Sequence, residues 1–173
     1  MNHSQIVSFL WSVADIIRDT FKRGKYQDVI LPLTVLRRLD CVLAPTKAAV
    51  LEANAKWHGK LSNPDQQLRK ASGFAFYNTS RFTLRDLKSR GNHQQLLADF
   101  EDYLNGFSPN VQDILDNFKF RNQLTTLSKA DALATLINKF LDPDIDLSPA
   151  GIDNHAMGTV FEELVRKFNE DNN

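Results

Sequence analysis

Apolar residues recur along this chain at the spacing of one helix face rather than at the alternation of a strand. Ile6, Val7, Phe9, Leu10, Val13, Ile16, Ile17 and Phe21 form the first such stripe, and Gly24 is expected to end it. A second apolar segment, 29–43, is compatible by composition with a buried strand, but its length and the charged Arg37-Arg38 and Asp40 inside it favour a helix. Asp28 is its expected N-cap, with Pro32 near the first turn, where a missing N–H matters least. Further along, Leu133, Leu136, Ile137, Phe140 and Leu141 share one face of a helix capped by Ser128 and stopped by Asp142-Pro143. Met157, Val160, Phe161, Leu164, Val165 and Phe168 face inward on a last helix opened by Asp153 or Asn154.

Asn63-Pro64, Ser108-Pro109 and Ser148-Pro149 each read as an N-cap followed by a first-turn proline, the side-chain oxygen taking a free N–H while proline presets φ. Residues 72–82 show only weak period-two alternation and no helical stripe, which predicts a loop. Thr83 then caps a short helix. With no internal repeat, low-complexity tract or glycine-rich linker, the pattern predicts a single compact all-α domain over 1–173. It should have about seven to nine helices and one irregular loop region near residues 72–82.

Composition narrows the class. With 42% hydrophobic and 24% charged residues in 173, the chain can bury a core and is excluded from the disordered class. Net charge is zero, but residues 1–93 hold 15 Lys and Arg against 7 Asp and Glu, while 94–173 hold 6 against 14. Halves of opposite sign predict different neighbours for each. No run approaches the roughly 18 to 20 apolar residues of a membrane span, and Met1-Asn2-His3-Ser4 lacks a basic n-region, so a soluble cytoplasmic protein without membrane contact is expected. The single Cys41 rules out an internal disulfide and a multi-cysteine zinc site, and reads as a packed thiol.

Candidate chemistry is sparse. The seven glycines form neither Gly-x-Gly-x-x-Gly nor a Walker pattern. His3, His58, His93 and His155 stand far apart without metal-ligand spacing. Asp142, Asp144 and Asp146 superficially resemble a calcium loop, but the required glycine and terminal Glu are absent. Glu162 and Glu163 suit pairing with Arg166 better than acid–base work. No catalytic, cofactor-binding or metal-ligating residue is therefore assigned, and a stand-alone enzyme lacks any nucleophile–base pairing to support it.

The most suggestive polar stretch is 81–90, where Arg81, Arg85 and Lys88 share roughly one side and Leu84 and Leu87 point to the core. With Arg90, His93, Arg69 and Lys70 extending the patch, these cations suit the successive phosphates of a duplex; a solvated face or a protein-binding arginine patch carries the same pattern. Arg37 and Arg38 must leave the core or find partners, since a buried unpaired guanidinium is prohibitive, so a structural ion pair is expected for at least one of them. Gly158 would let another backbone approach closely.

Two stretches go beyond composition: Tyr26-Gln27-Asp28-Val29-Ile30-Leu31-Pro32-Leu33-Thr34-Val35-Leu36-Arg37-Arg38-Leu39-Asp40 and Met157-Gly158-Thr159-Val160-Phe161-Glu162-Glu163-Leu164-Val165-Arg166-Lys167-Phe168. Both resemble signature stretches of the modification (methyltransferase) subunits of type I restriction-modification systems, N-6 adenine DNA methylases. Phe118-Lys119-Phe120 and Leu133-Ala134-Thr135-Leu136-Ile137-Asn138-Lys139-Phe140 also fit, so the resemblance spans nearly the whole chain. It implies the helical N-terminal domain of such a subunit, which helps enclose DNA and packs against a specificity subunit, a second modification subunit and, in the full complex, a restriction subunit. A Rossmann-like domain is expected downstream, with an S-adenosylmethionine motif and an Asn-Pro-Pro-Phe or Tyr motif for the extruded adenine. Neither motif occurs here, since Asn63-Pro64 continues into Asp65-Gln66. The resemblance thus places no cofactor in this segment and S-adenosylmethionine in the full-length subunit. The alternative from a different class is an autonomous helical adaptor that binds another protein and has no DNA role.

Overall fold

The computed structural model describes residues 3–88 and 92–171. The helices are α1 (His3–Ile17), α2 (Gln27–Leu43), α3 (Lys47–Trp57), α4 (Asp65–Ser72), α5 (Leu84–Leu87), α6 (His93–Asn105), α7 (Pro109–Asn117), α8 (Arg121–Lys129), α9 (Ala132–Phe140) and α10 (Asn154–Asp171). α5 is a single turn, and the other nine run to eight residues or more, with no strand among the described residues. The all-α expectation is met.

Several boundaries fall elsewhere than the pattern predicts. α1 ends at Ile17, because the chain turns there and forms a short 3₁₀ segment at Arg23–Lys25 before reaching α2. α2 begins at Gln27, so Asp28 is not the cap; it lies in the first turn, where a carboxylate suits the helix dipole. Pro32 lies inside α2, not near its start, and one backbone hydrogen bond is missing there. Burial of its neighbours Val29, Ile30, Leu31 and Leu33 offsets that loss. Ser128 belongs to α8, and Asp131, in a left-handed conformation at φ 60°, precedes α9 instead. Asn63 accepts from the Asp65 amide at 3.1 Å, leaving Pro64 as the residue before α4. Asp153 caps as expected, its Oδ1 accepting from the Ala156 amide at 2.8 Å, whereas Ser108 precedes Pro109 without a side-chain cap, its Oγ donating instead to Asn110 Oδ1 at 2.6 Å. Ser148-Pro149 opens one turn, with the Gly151 and Ile152 amides donating to the Ser148 carbonyl.

α1 lies centrally, packed on α2, α9 and α10, while α8 packs on α6 and α9. Ile6, Leu10, Val13 and Ile17 are fully buried on its inner face. Each such side chain contributes about 1.5–3 kcal/mol relative to exposure. Phe100 and Phe120 meet edge-on at 6.1 Å within the same core. The α3–α4 hairpin has a separate small cluster of Val50, Leu68 and Tyr77. The irregular 72–82 region joins this hairpin to the body, where Asn78 bridges Phe107. A Cβ at Gly106 would lie 2.5 Å from the Ser80 amide nitrogen, so glycine there lets the loop lie against the end of α6. Gly158 is different. Among the described residues no heavy atom beyond its own helix turn comes within 4 Å of where its Cβ would stand, so the anticipated close approach of another backbone is not made there. Cys41 is half-buried, and burial raises its thiol pKa, which keeps it protonated and inert.

Candidate nucleic-acid interface

The basic stretch is built on α5, and α5 is fixed by local chemistry. Thr83 Oγ1 accepts from the Asp86 amide at 3.3 Å while Asp86 Oδ2 accepts from the Thr83 amide at 2.9 Å, a reciprocal capping box. Leu84 and Leu87 are buried, and this orients the turn with Arg81, Arg85 and Lys88 exposed to solvent. The Arg81 guanidinium lies 4.7 Å from the Phe82 ring centroid, which restricts its side chain near the surface.

Beneath the turn, the Asp40 carboxylate ties three helices together. Its Oδ1 accepts from the Leu84 amide at 3.3 Å and the Tyr103 hydroxyl at 3.0 Å, and its Oδ2 pairs with Arg37 Nη1 at 3.0 Å. The Arg37–Asp40 pair is mostly shielded, with side chains 15% and 10% exposed, so solvent screens it weakly. Burial and the adjacent Asp40 carboxylate push the Tyr103 hydroxyl well above its ordinary range. Next to it, Lys47 Nζ donates to Asn78 Oδ1 at 2.7 Å. Burial brings Lys47 down to about 8, against the pull of Asp40, Asp86 and Asp102. Ser80 Oγ donates to Asp102 Oδ2 at 2.7 Å and accepts from the Phe82 amide, which fixes the approach to Arg81.

The remaining basic candidates are placed differently. Arg69 pairs with Asp65 at 2.8 Å along α4, and Lys70 is exposed beside it. His93 Nδ1 lies 2.5 Å from Asp131 Oδ1, engaging the turn between α8 and α9. Arg90 lies outside the described residues. The structure therefore brings Arg81, Arg85 and Lys88 onto one short anchored segment.

Arg37 and Arg38, adjacent in sequence, find different partners. Arg37 takes an acid. Arg38 Nη1 instead donates to the Leu147 carbonyl at 2.9 Å and the Ile152 carbonyl at 2.6 Å, and its Nη2 to Asn154 Oδ1 at 2.8 Å. It thereby clamps the turn leading into α10. A groove of about 430 Å3 lies alongside, lined by Val35, Leu39, Met157, Gly158 and Phe161, with Glu162 also in its wall. Among the described residues no group of three or more His, Cys, Asp or Glu could hold a metal, and no helix is long and apolar enough to cross a membrane.

Sequence reasoning missed Asp40, Lys47 and Asn78 as organisers of this region. Asp40, three residues after Arg37, carried a readable ion-pair signal. Lys47 and Asn78 carried none, because their meeting depends on how α3 and the loop pack.

The HsdM N-terminal domain family matches residues 6–140. The chain belongs to that family, the N-terminal domain of the M subunit of type I restriction-modification systems. The match includes the 26–40 stretch and stops short of 157–168. No curated protein and no solved structure gave a match.

Proposed function

We propose that this chain is the DNA-enclosing and subunit-assembly part of a type I restriction-modification adenine-N6 methyltransferase subunit. The observation that carries the DNA half is the anchored turn α5 with its two flanks, along which Arg81, Arg85 and Lys88 are exposed beside a buried leucine pair. Cations fixed on a short rigid element suit phosphates, and such contacts position a protein on DNA without reading its sequence. Target reading belongs in this proposal to the specificity subunit, and methyl transfer to a downstream domain that binds S-adenosylmethionine. The assembly half is supported by the open groove along α2 and α10, where the specificity subunit, a second modification subunit or the restriction subunit would find apolar surface. Work on DNA of this kind is carried out in the cytoplasm of the host.

The test replaces Arg81, Arg85 and Lys88 together by alanine and measures duplex affinity of the assembled complex across salt concentrations. Each lost phosphate contact flattens the slope of log affinity against log salt by roughly 0.9, so a change of about 2 to 3 is expected. An unchanged slope overturns the DNA half and leaves the protein-adaptor reading.

A further inference from the structure

The loop after α4 carries an aromatic pair that the core does not account for. Phe74 is 42% exposed, and its ring stacks on Phe76 with centroids 5.3 Å apart and planes 18° from parallel. Phe76 is half-buried against the main core, so the two rings form a short column standing on the core with its outer face open.

This column is held rigidly. Gly73 ends α4 in the left-handed conformation at φ 81°. Ser72 is fully buried; its hydroxyl accepts from the Phe74 amide at 3.1 Å and lies 2.8 Å from the Phe76 carbonyl. Thr46 Oγ1 donates to the Ser72 carbonyl at 2.9 Å, and Asn110 Nδ2 to the Ala75 carbonyl at 2.9 Å. A loop whose backbone is pinned by Thr46 before α3, by α4 and by α7 presents its exposed ring without an ordering cost on binding.

Charge identifies the occupant. Apart from Asp86 at its far edge, the stretch from Gln66 holds only cations, Arg69, Lys70, Arg81 and Arg85; Arg69 is paired with Asp65, while Lys70, in the last turn of α4 just before the column, is exposed. A flat π-face flanked by cations of one sign is the arrangement by which proteins hold exposed bases of a polyanion. We propose that Phe74 stacks on an unpaired nucleobase of DNA, extending the Phe76–Phe74 column by one ring, while Lys70 neutralises a neighbouring phosphate. The proposal rests on the DNA-contacting reading above.

The experiment measures binding of this chain to a single-stranded oligonucleotide carrying 2-aminopurine, whose fluorescence is quenched by stacking. The wild type is compared with Phe74→Leu, which keeps apolar bulk but removes the π-face, and with Phe74→Trp, which enlarges it. The expected result is quenching by the wild type, about tenfold weaker binding with loss of quenching in Phe74→Leu, and recovery in Phe74→Trp. The salt slope should stay unchanged in both variants, since a ring releases no counterions. Thermal unfolding reports whether each variant is folded. Wild-type affinity and quenching in folded Phe74→Leu overturn the proposal. If the Arg81, Arg85 and Lys88 variant still flattens the salt slope, the broader DNA reading survives that failure; if it does not, both fall. Loss of association with another subunit, with DNA binding intact, would make Phe74 a protein contact and also overturn it.

Discussion

Lys47 is a residue whose charge works against the fold that surrounds it. Its ammonium is held at about 8 by burial, although the free side chain titrates at 10.5. Below pH 8 the group is charged in both folded and unfolded chains, and the desolvation penalty is present in full. Between pH 8 and 10.5 the unfolded chain keeps a proton that the folded chain has lost, so stability rises with pH through that window. Tyr77 and Tyr103 act in the opposite sense. Burial raises both hydroxyls above 10.0, so the unfolded chain alone ionises there, and stability falls as pH climbs past about 10. The melting temperature should therefore climb from pH 8, pass through a maximum near pH 10, and fall. Lys47→Met should melt higher than the wild type at pH 7 and lack the rising limb. Asn78 Oδ1 would still accept from the Ser80 amide at 2.8 Å, so no buried acceptor is orphaned. Equal melting temperatures at pH 7 would mean that Asp40, Asp86 and Asp102 offset the desolvation in full.

Among the elements, α2 and α10 are joined by polar clamping as much as by apolar packing. Arg38 supplies donors to two carbonyls and an amide oxygen at the entry to α10, and Leu147 and Ile152, which present the carbonyls, are buried. Arg38→Met would leave these acceptors without a charged donor, at a cost of about 1–3 kcal/mol for each that water cannot reach. A loss of about 2–4 kcal/mol in urea unfolding is expected, with amide exchange fastest over 147–157. A midpoint within experimental error of the wild type would show that water replaces the guanidinium. Sequence pattern gave no hint of this clamp, because its partners lie more than a hundred residues from Arg38. What was legible is what is local. The stripes of α1, α2, α9 and α10 are one-face periodicities, and the Thr83 cap is a contact three residues long. Helix ends set by tertiary packing were misjudged: α1 stops short of Gly24, Pro32 sits within α2, and Ser128 falls inside α8. α3 has no apolar stripe at all, burying Val50 alone, so pattern could not place it. In the candidate interface, the exposure of Arg81, Arg85 and Lys88 was readable, whereas the Asp40 contacts beneath them reach 44 residues to Leu84 and 63 to Tyr103.

At the scale of the whole molecule, the open groove tests whether surface left apolar by the fold is used in assembly. Glycine inside a helix is less favourable than alanine by about 1 kcal/mol, and Gly158 has open space where a side chain would go. Nothing among the described residues therefore requires glycine at that position, and Gly158→Ala should raise stability by about 0.5–1 kcal/mol. Gly158→Phe should also fold, since its ring would lie over Val35, Leu39, Met157 and Phe161 and fill the groove from within. The two variants differ only in what they leave for a partner. If subunits meet in the groove, Gly158→Phe should assemble at least tenfold more weakly, a loss of about 1.4 kcal/mol, while its melting temperature matches or exceeds that of the wild type. Sedimentation of the purified subunits at several concentrations measures the first, and a thermal scan the second. Native assembly by Gly158→Phe would mean that partners contact another face, and the glycine would then be a cost to the helix without a structural return.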